Sequence, residues 1–261
     1  IIYRPVREKS PEVLCNQAKC LYEYTGYEEI SLSSLSISDY TKLRELTDGL
    51  ISWTDDKKVS LSLPSLRIDS FTRELMDKVA SVRASSITFA PEAGTQRLRD
   101  VINKNVTEEN LMNAAGIAFS AGKDQVKLYF MDGLPTETED DLAGIAALGK
   151  AVIEKYYATP ERNKRRQPQV TVSVSCFVPK PFTPFQWEPQ DTIAQFEEKQ
   201  RHLCQIMRIK GVEFNWHEPQ VSFLEAVFAR GDRRTADVLE AAWRLGCRFD
   251  GWTDQFSFDK W

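Results

Sequence analysis

Residues 127–138 constrain this chain more than any other stretch. They read Lys-Leu-Tyr-Phe-Met-Asp-Gly-Leu-Pro-Thr-Glu-Thr. Val126 to Met131 is strand-like, Gly133 and Pro135 stop it, and acidic and hydroxyl residues precede a long apolar-periodic segment. That is a strand, a tight loop and a helix N-terminus. In open and closed α/β folds, ligands sit at such junctions at the carboxyl ends of strands. Alternation places Lys127, Tyr129 and Met131 on one face of the strand and Val126, Leu128 and Phe130 on the other. An ammonium within a strand is costly unless it has a partner, which makes Lys127 a candidate functional residue.

The same alternation of strand and helix runs through the first 216 residues. Ser10-Pro11-Glu12 starts a helix that Gly26 ends, and residues 29–34 follow as a strand. Asp39 opens a helix carrying Leu43, Leu46 and Leu50, then residues 59–63 form a strand closed by Pro64. A helix through about Val82, a strand at 86–90 and helices ending near Ile102 and Gly122 come next. After the strand at 126–131, a helix spans about 139–156, a strand 170–178, a helix 191–209 and a last strand 212–216. The end is helical over about 223–229 and 234–245, with an aromatic tail to Trp261. Strand–helix alternation of this kind specifies a parallel sheet, open or closed into a barrel.

Composition narrows the class. With 261 residues, 42% hydrophobic and 28% charged, the chain is globular. A net charge of −4 gives no global field to recruit nucleic acid, and no run reaches the length of a membrane span. Ile1-Ile2-Tyr3-Arg4-Pro5 has neither the basic leader nor the apolar core of a signal peptide, so a cytoplasmic, soluble protein is expected. The five cysteines, Cys15, Cys20, Cys176, Cys204 and Cys247, do not suggest a disulfide framework. With two histidines, a closed zinc site is not expected either. Hydrolase, P-loop and dinucleotide-binding motifs are absent from the sequence.

Several further residues follow predicted strands. Glu92 lies in Pro-Glu-Ala-Gly-Thr, a constrained turn at what would be the ligand end of a barrel. Arg67 follows the strand at 59–63, and Lys104 ends the short helix after Glu92, where it could equally complement the helix dipole. Ser33, Ser34 and Ser36 are polar for a strand end, suited to a polar ligand or to filling a tapered barrel. Lys164-Arg165-Arg166 reads as a solvated loop, with a phosphate-bearing partner as the other reading.

Taken together, these residues resemble the radical S-adenosylmethionine (radical SAM) superfamily. Pro91 to Thr107 is similar to its fourth-strand segment and Lys127 to Thr138 to its fifth, which ends Gly-Leu/Phe-Pro-x-Glu-Thr. Phe177 to Trp187, Tyr24 to Leu35 and Ser222 to Trp252 resemble a branch with a B12-binding-type domain upstream. The resemblance implies an α/β fold, a partial (β/α)6 barrel of parallel strands with a helical C-terminal extension. Residues 1–187 would be the partial barrel and 188–261 the last βα elements and the extension. It implies S-adenosylmethionine (SAM) as the small-molecule partner. Glu92 would bond its ribose or amino group, and Lys104 and Lys127 would lie near its carboxylate or ribose. Ser33, Ser34 and Ser36 would sit near its amino group. Phe130, Met131, Gly133, Phe177 and Val178 would pack its adenine. Thr136 stands where Pro-Gly-Glu-Thr has glycine.

One departure matters. The family holds a [4Fe–4S] cluster on a CxxxCxxC loop, and this sequence contains no such triplet, Cys15 and Cys20 being C-x4-C. The resemblance implies that the chain starts just after that loop, with the cluster region and any cobalamin-binding domain lying outside it. The intact parent would cleave SAM reductively to a 5′-deoxyadenosyl radical. This chain is expected to be inactive and to hold neither cluster nor cobalamin. A different reading is a cluster-free scaffold that binds a protein or RNA through Lys164 to Arg166 and the aromatic tail.

Overall fold

The computed structural model describes residues 7–34, 37–62, 68 and 87–261. Ser36, Arg67, the start of the expected strand at Ser86 and the expected helix through Val82 lie outside the described residues.

All strand pairings among the described residues are parallel. Strands β1 (Glu29–Ser31) and β2 (Ser60–Ser62) pair with Ile30 opposite Leu61. Strands β3 (Ile87–Glu92), β4 (Gln125–Asp132), β5 (Gln169–Cys176) and β6 (Val212–Trp216) form a four-stranded sheet in that order. Parallel neighbours need crossovers. Helices α1 (Pro11–Thr25) and α2 (Leu43–Lys57) flank β1 in the chain. Helices α3 (Gln96–Val101) and α4 (Glu108–Ser120) carry the chain from β3 to β4. Helix α5 (Glu139–Ala158) links β4 to β5, and α6 (Ile193–Ile206) links β5 to β6. Helices α7 (Pro219–Arg230) and α8 (Thr235–Arg244) form the helical extension. This is the α/β architecture expected from the strand–helix alternation. No helix of the described residues is long and apolar enough to cross a membrane.

Local signals set the helix starts. Ser10 caps α1, accepting from the Val13 N–H at 3.4 Å, and Gly26 ends it at φ 72°. Reciprocal capping by Thr107 with Asn110 starts α4, and by Thr192 with Gln195 starts α6. The main core lies between one face of the four-stranded sheet and α4, α5 and α6. It contains Phe89, Val126, Leu128, Phe130, Val170, Val172, Val174, Phe119, Ile145 and Tyr156. A smaller core of Ala18, Ile30, Leu46, Leu50, Val59 and Leu61 joins α1 and α2 to the first two strands. The Tyr156 hydroxyl donates to the Asn163 carbonyl at 2.6 Å, which ties the basic loop down.

Some boundaries differ from expectation. β3 continues through Pro91 to Glu92 because its register against β4 shifts between Phe89 and Glu92, an irregularity that tolerates proline. α2 begins at Leu43 and not at Asp39, after a 3₁₀ turn at Ile37–Asp39. α7 begins at Pro219, four residues before the expected Phe223, with proline in its first turn.

Candidate functional site

The carboxyl ends of β3, β4 and β5 bring together several ion pairs. β3 ends at Glu92, a half-buried residue in the left-handed region at φ 70°. Its carboxylate lies 3.2 Å from the Lys104 ammonium, so the structure unites these two expected site residues. Glycine dictates the backbone path beyond Glu92. A Cβ on Gly94 would meet the Asp141 carbonyl oxygen at 2.1 Å and the Ile145 nitrogen at 2.4 Å. One on Gly144 would meet the Gly94 carbonyl oxygen at 2.7 Å. Pro-Glu-Ala-Gly-Thr is therefore constrained first by backbone-to-backbone contact with α5.

Asp141 fastens that contact. It accepts from the Thr95 hydroxyl and the Arg97 guanidinium, and from the Thr138 N–H at 2.8 Å. Burial pushes its carboxyl up, but the bonds from Thr95, Thr138 and Arg97 outweigh it and hold Asp141 below the usual range. Arg97 also donates to the Thr136 carbonyl at 2.9 Å and hydroxyl at 3.1 Å. Thr136 adopts φ 68°, so the backbone keeps a glycine-like conformation despite its β-branched side chain.

The β4 turn is built on charge. Gly133, at φ 74°, donates its N–H to the Glu137 carboxylate at 2.9 Å. Glu137 pairs with Lys199 at 2.6 Å, and Lys199 with Asp191 at 2.7 Å. Burial pushes Glu137 up, only partly offset by Lys199. Lys199 itself is held above its ordinary value, since Asp191 and Glu137 outweigh its burial. One residue earlier, Asp132 is fully buried and neither carboxylate oxygen has a hydrogen-bond partner. Burial, and then the charge of Glu137, push it to about 7. Its register partner Cys176 is pushed up to about 12 by burial and by Asp132.

The remaining expected residues divide. Met131 and Phe177 meet in one apolar cluster with Ala93, Leu98, Leu134 and Phe185, beside the Glu92 turn. Val178 is buried directly after Phe177. Phe130 faces the helices in the main core, on the opposite side of β4 from Met131, so a role beside adenine does not fit its position. Lys127 lies three residues below Phe130, the register partner of Glu92, or about 10 Å along the strand. Its ammonium sits 4.7 Å over the Tyr129 ring and does not join the Glu92–Lys104 pair. Ser33 and Ser34 are exposed after β1 and line a cavity of about 360 Å³ with Arg7, Glu8, Lys9 and Tyr40. Lys164 to Arg166 lies at the amino end of β5, opposite the site, with Arg166 3.3 Å from Asp124.

Sequence reasoning missed Asp132, Glu137, Lys199 and Asp191. Asp132 left one signal. It continues the apolar series Val126, Leu128 and Phe130, where alternation calls for another apolar residue.

A family model described as the Radical SAM superfamily matches residues 1–149. The chain belongs to the radical SAM superfamily. An uncharacterized protein of Methanocaldococcus jannaschii is 30% identical over 239 residues, covering 92% of this chain and 49% of that protein. The crystal structure of Streptococcus suis SuiB bound to S-adenosylmethionine superposes with a TM-score of 0.55 at 10% identity. It covers 82% of this chain and 45% of SuiB. A second SuiB structure gives 0.55 at 9% identity, covering 87% and 48%. This radical SAM chain thus spans about half the length of the relatives it matches. At these identities, the likeness to SuiB is one of fold.

The residues present do not fit an iron–sulfur cluster. Cys15 and Cys20 lie on α1, Cys176 ends β5 with its thiol pushed to about 12, and Cys204 lies on α6. Among the described residues, no three or more His, Cys, Asp or Glu side chains could together hold a metal ion. SAM fits better. A half-exposed carboxylate at a strand end stands beside an apolar cluster to which the partly buried Met131 and Phe185 contribute.

Proposed function

We propose that this chain forms the adenosyl side of a SAM site in a radical SAM enzyme that cleaves SAM reductively. The supporting observation is Glu92, set in a left-handed turn at the end of β3, paired with Lys104 and next to the Met131–Phe177 cluster. In this reading Glu92 accepts from the ribose hydroxyls or the amino group, and Lys104 holds it in place. Met131, Phe177 and Val178 wall the adenine, with the Gly133 turn beside them. Ser33 and Ser34 stand toward the methionyl amino group. Ser36 and Arg67 belong to the same expectation. Residues 1–187 form the cofactor-facing partial barrel and 188–261 the closing βα elements and extension.

The cluster that such chemistry requires needs ligands other than the five cysteines of this sequence, and by itself the chain is inactive. Cobalamin, as in B12-binding relatives, is a further expectation of the same reading. Titration calorimetry with SAM tests the site. Glu92→Gln should weaken binding about tenfold, the loss of one charge-assisted hydrogen bond. Equal affinity of the variant and the parent would remove Glu92 from the site.

A further inference from the structure

We propose that the face of the four-stranded sheet turned away from the helices binds a polar substrate through an anionic group, carboxylate or phosphate, with Lys127 as its cation. This rests on the radical SAM reading and concerns a part of the molecule away from the Glu92–Lys104 pair. In-register residues of a parallel sheet share a face. On the helix side the rows are apolar: Val126, Val170 and Val212, then Leu128, Val172 and Phe214. On the other side they are polar. Lys127 aligns with Thr171 and Glu213, and Tyr129 with Ser173 and Asn215. A barrel interior that serves only packing fills with branched apolar side chains. Here Tyr129 is 37% exposed, Lys127 and Thr171 are half-buried, and Glu213 and Asn215 are exposed.

Three cations at the carboxyl end of the sheet are paired with carboxylates. Arg97 is bound by Asp141, Lys104 by Glu92 and Lys199 by Glu137 and Asp191. Lys127 has the ring of Tyr129, at 4.7 Å, and no carboxylate partner among the described residues. Glu213, on the same face, accepts from Gln169 at 2.9 Å and Asn215 at 3.5 Å. Its backbone lies two strands away, roughly 10 Å. An ammonium held over an aromatic ring and partly stripped of water gains a charge-assisted bond from an arriving anion. The Thr171 hydroxyl and the Asn215 amide offer hydrogen bonds to a polar body.

The test is NMR of the full chain, following the Tyr129 ring and the Lys127 side chain during titration with inorganic phosphate or with succinate at constant ionic strength. Saturable shifts with either anion are expected, at least tenfold weaker in Lys127→Met and in Lys127→Gln, and unchanged in Lys164→Met. Saturation by one anion alone assigns the group as phosphate or carboxylate. Shifts that sodium chloride reproduces, or that persist in both Lys127 variants, overturn the proposal. A parallel SAM titration of the parent separates the two readings. SAM bound without anion saturation removes this proposal alone, and anion saturation without SAM binding removes the SAM reading alone.

Discussion

Asp132 sits fully buried at the end of β4 with no hydrogen-bond partner for either oxygen, an expensive place for a carboxylate. Its folded-state value of about 7 lies above that of an exposed aspartate, about 4. Between these pH values the folded state holds a proton that the unfolded chain releases. Stability is therefore full below about pH 4, falls as pH rises and levels off above about pH 7. Asp132→Asn should flatten that slope. In urea unfolding at pH 5 and pH 8, the variant should gain on the parent as pH rises, by up to roughly 3 kcal/mol. A parallel pH dependence of the two proteins would contradict the assignment. Thr136 stores cost of a different kind. A β-branched residue at φ 68° is strained, and Arg97 compensates by bonding its hydroxyl. Thr136→Gly should raise stability by up to about 1 kcal/mol, measured as an upward shift of the urea midpoint.

At the scale of elements, the contact that positions Glu92 is made by α5 against the loop after β3. Gly94 and Gly144 let the two backbones touch, and Thr95, Arg97 and Thr138 converge on Asp141 to hold them there. Gly94→Ala must push α5 away from the loop, at a cost of about 3 kcal/mol. Chemical denaturation would show that loss, and the SAM affinity of the folded fraction should fall with it. An unchanged midpoint would mean that α5 is free to move. Pro91 to Thr95 was legible from sequence as a turn before a helix. That its glycine serves a helix some 50 residues later was not, because a close approach depends on where α5 packs and not on local spacing.

For the whole molecule, the cysteines are scattered over α1, β5, α6 and the C-terminal segment. Anaerobic reconstitution with iron and sulfide should therefore leave no iron–thiolate absorbance, and reductant with SAM should yield no 5′-deoxyadenosine. A cluster with SAM turnover in this chain would refute the reading of its cysteines. Much of the architecture was legible beforehand. Apolar alternation marks strands, and Ser10 marks a helix start because capping is a local interaction. By itself the sequence determined the alternating strands and helices, the Glu92 turn and the 127–138 junction, all of which depend on neighbours a few residues apart. The tertiary structure alone decided that Phe130 packs under the helices, that Lys127 stands over Tyr129 and apart from the Glu92–Lys104 pair, and that Asp132, Glu137, Lys199 and Asp191 converge beneath the Gly133 turn. Those contacts join residues distant in the chain, and burial and charge act on a side chain only once the fold has placed its partners.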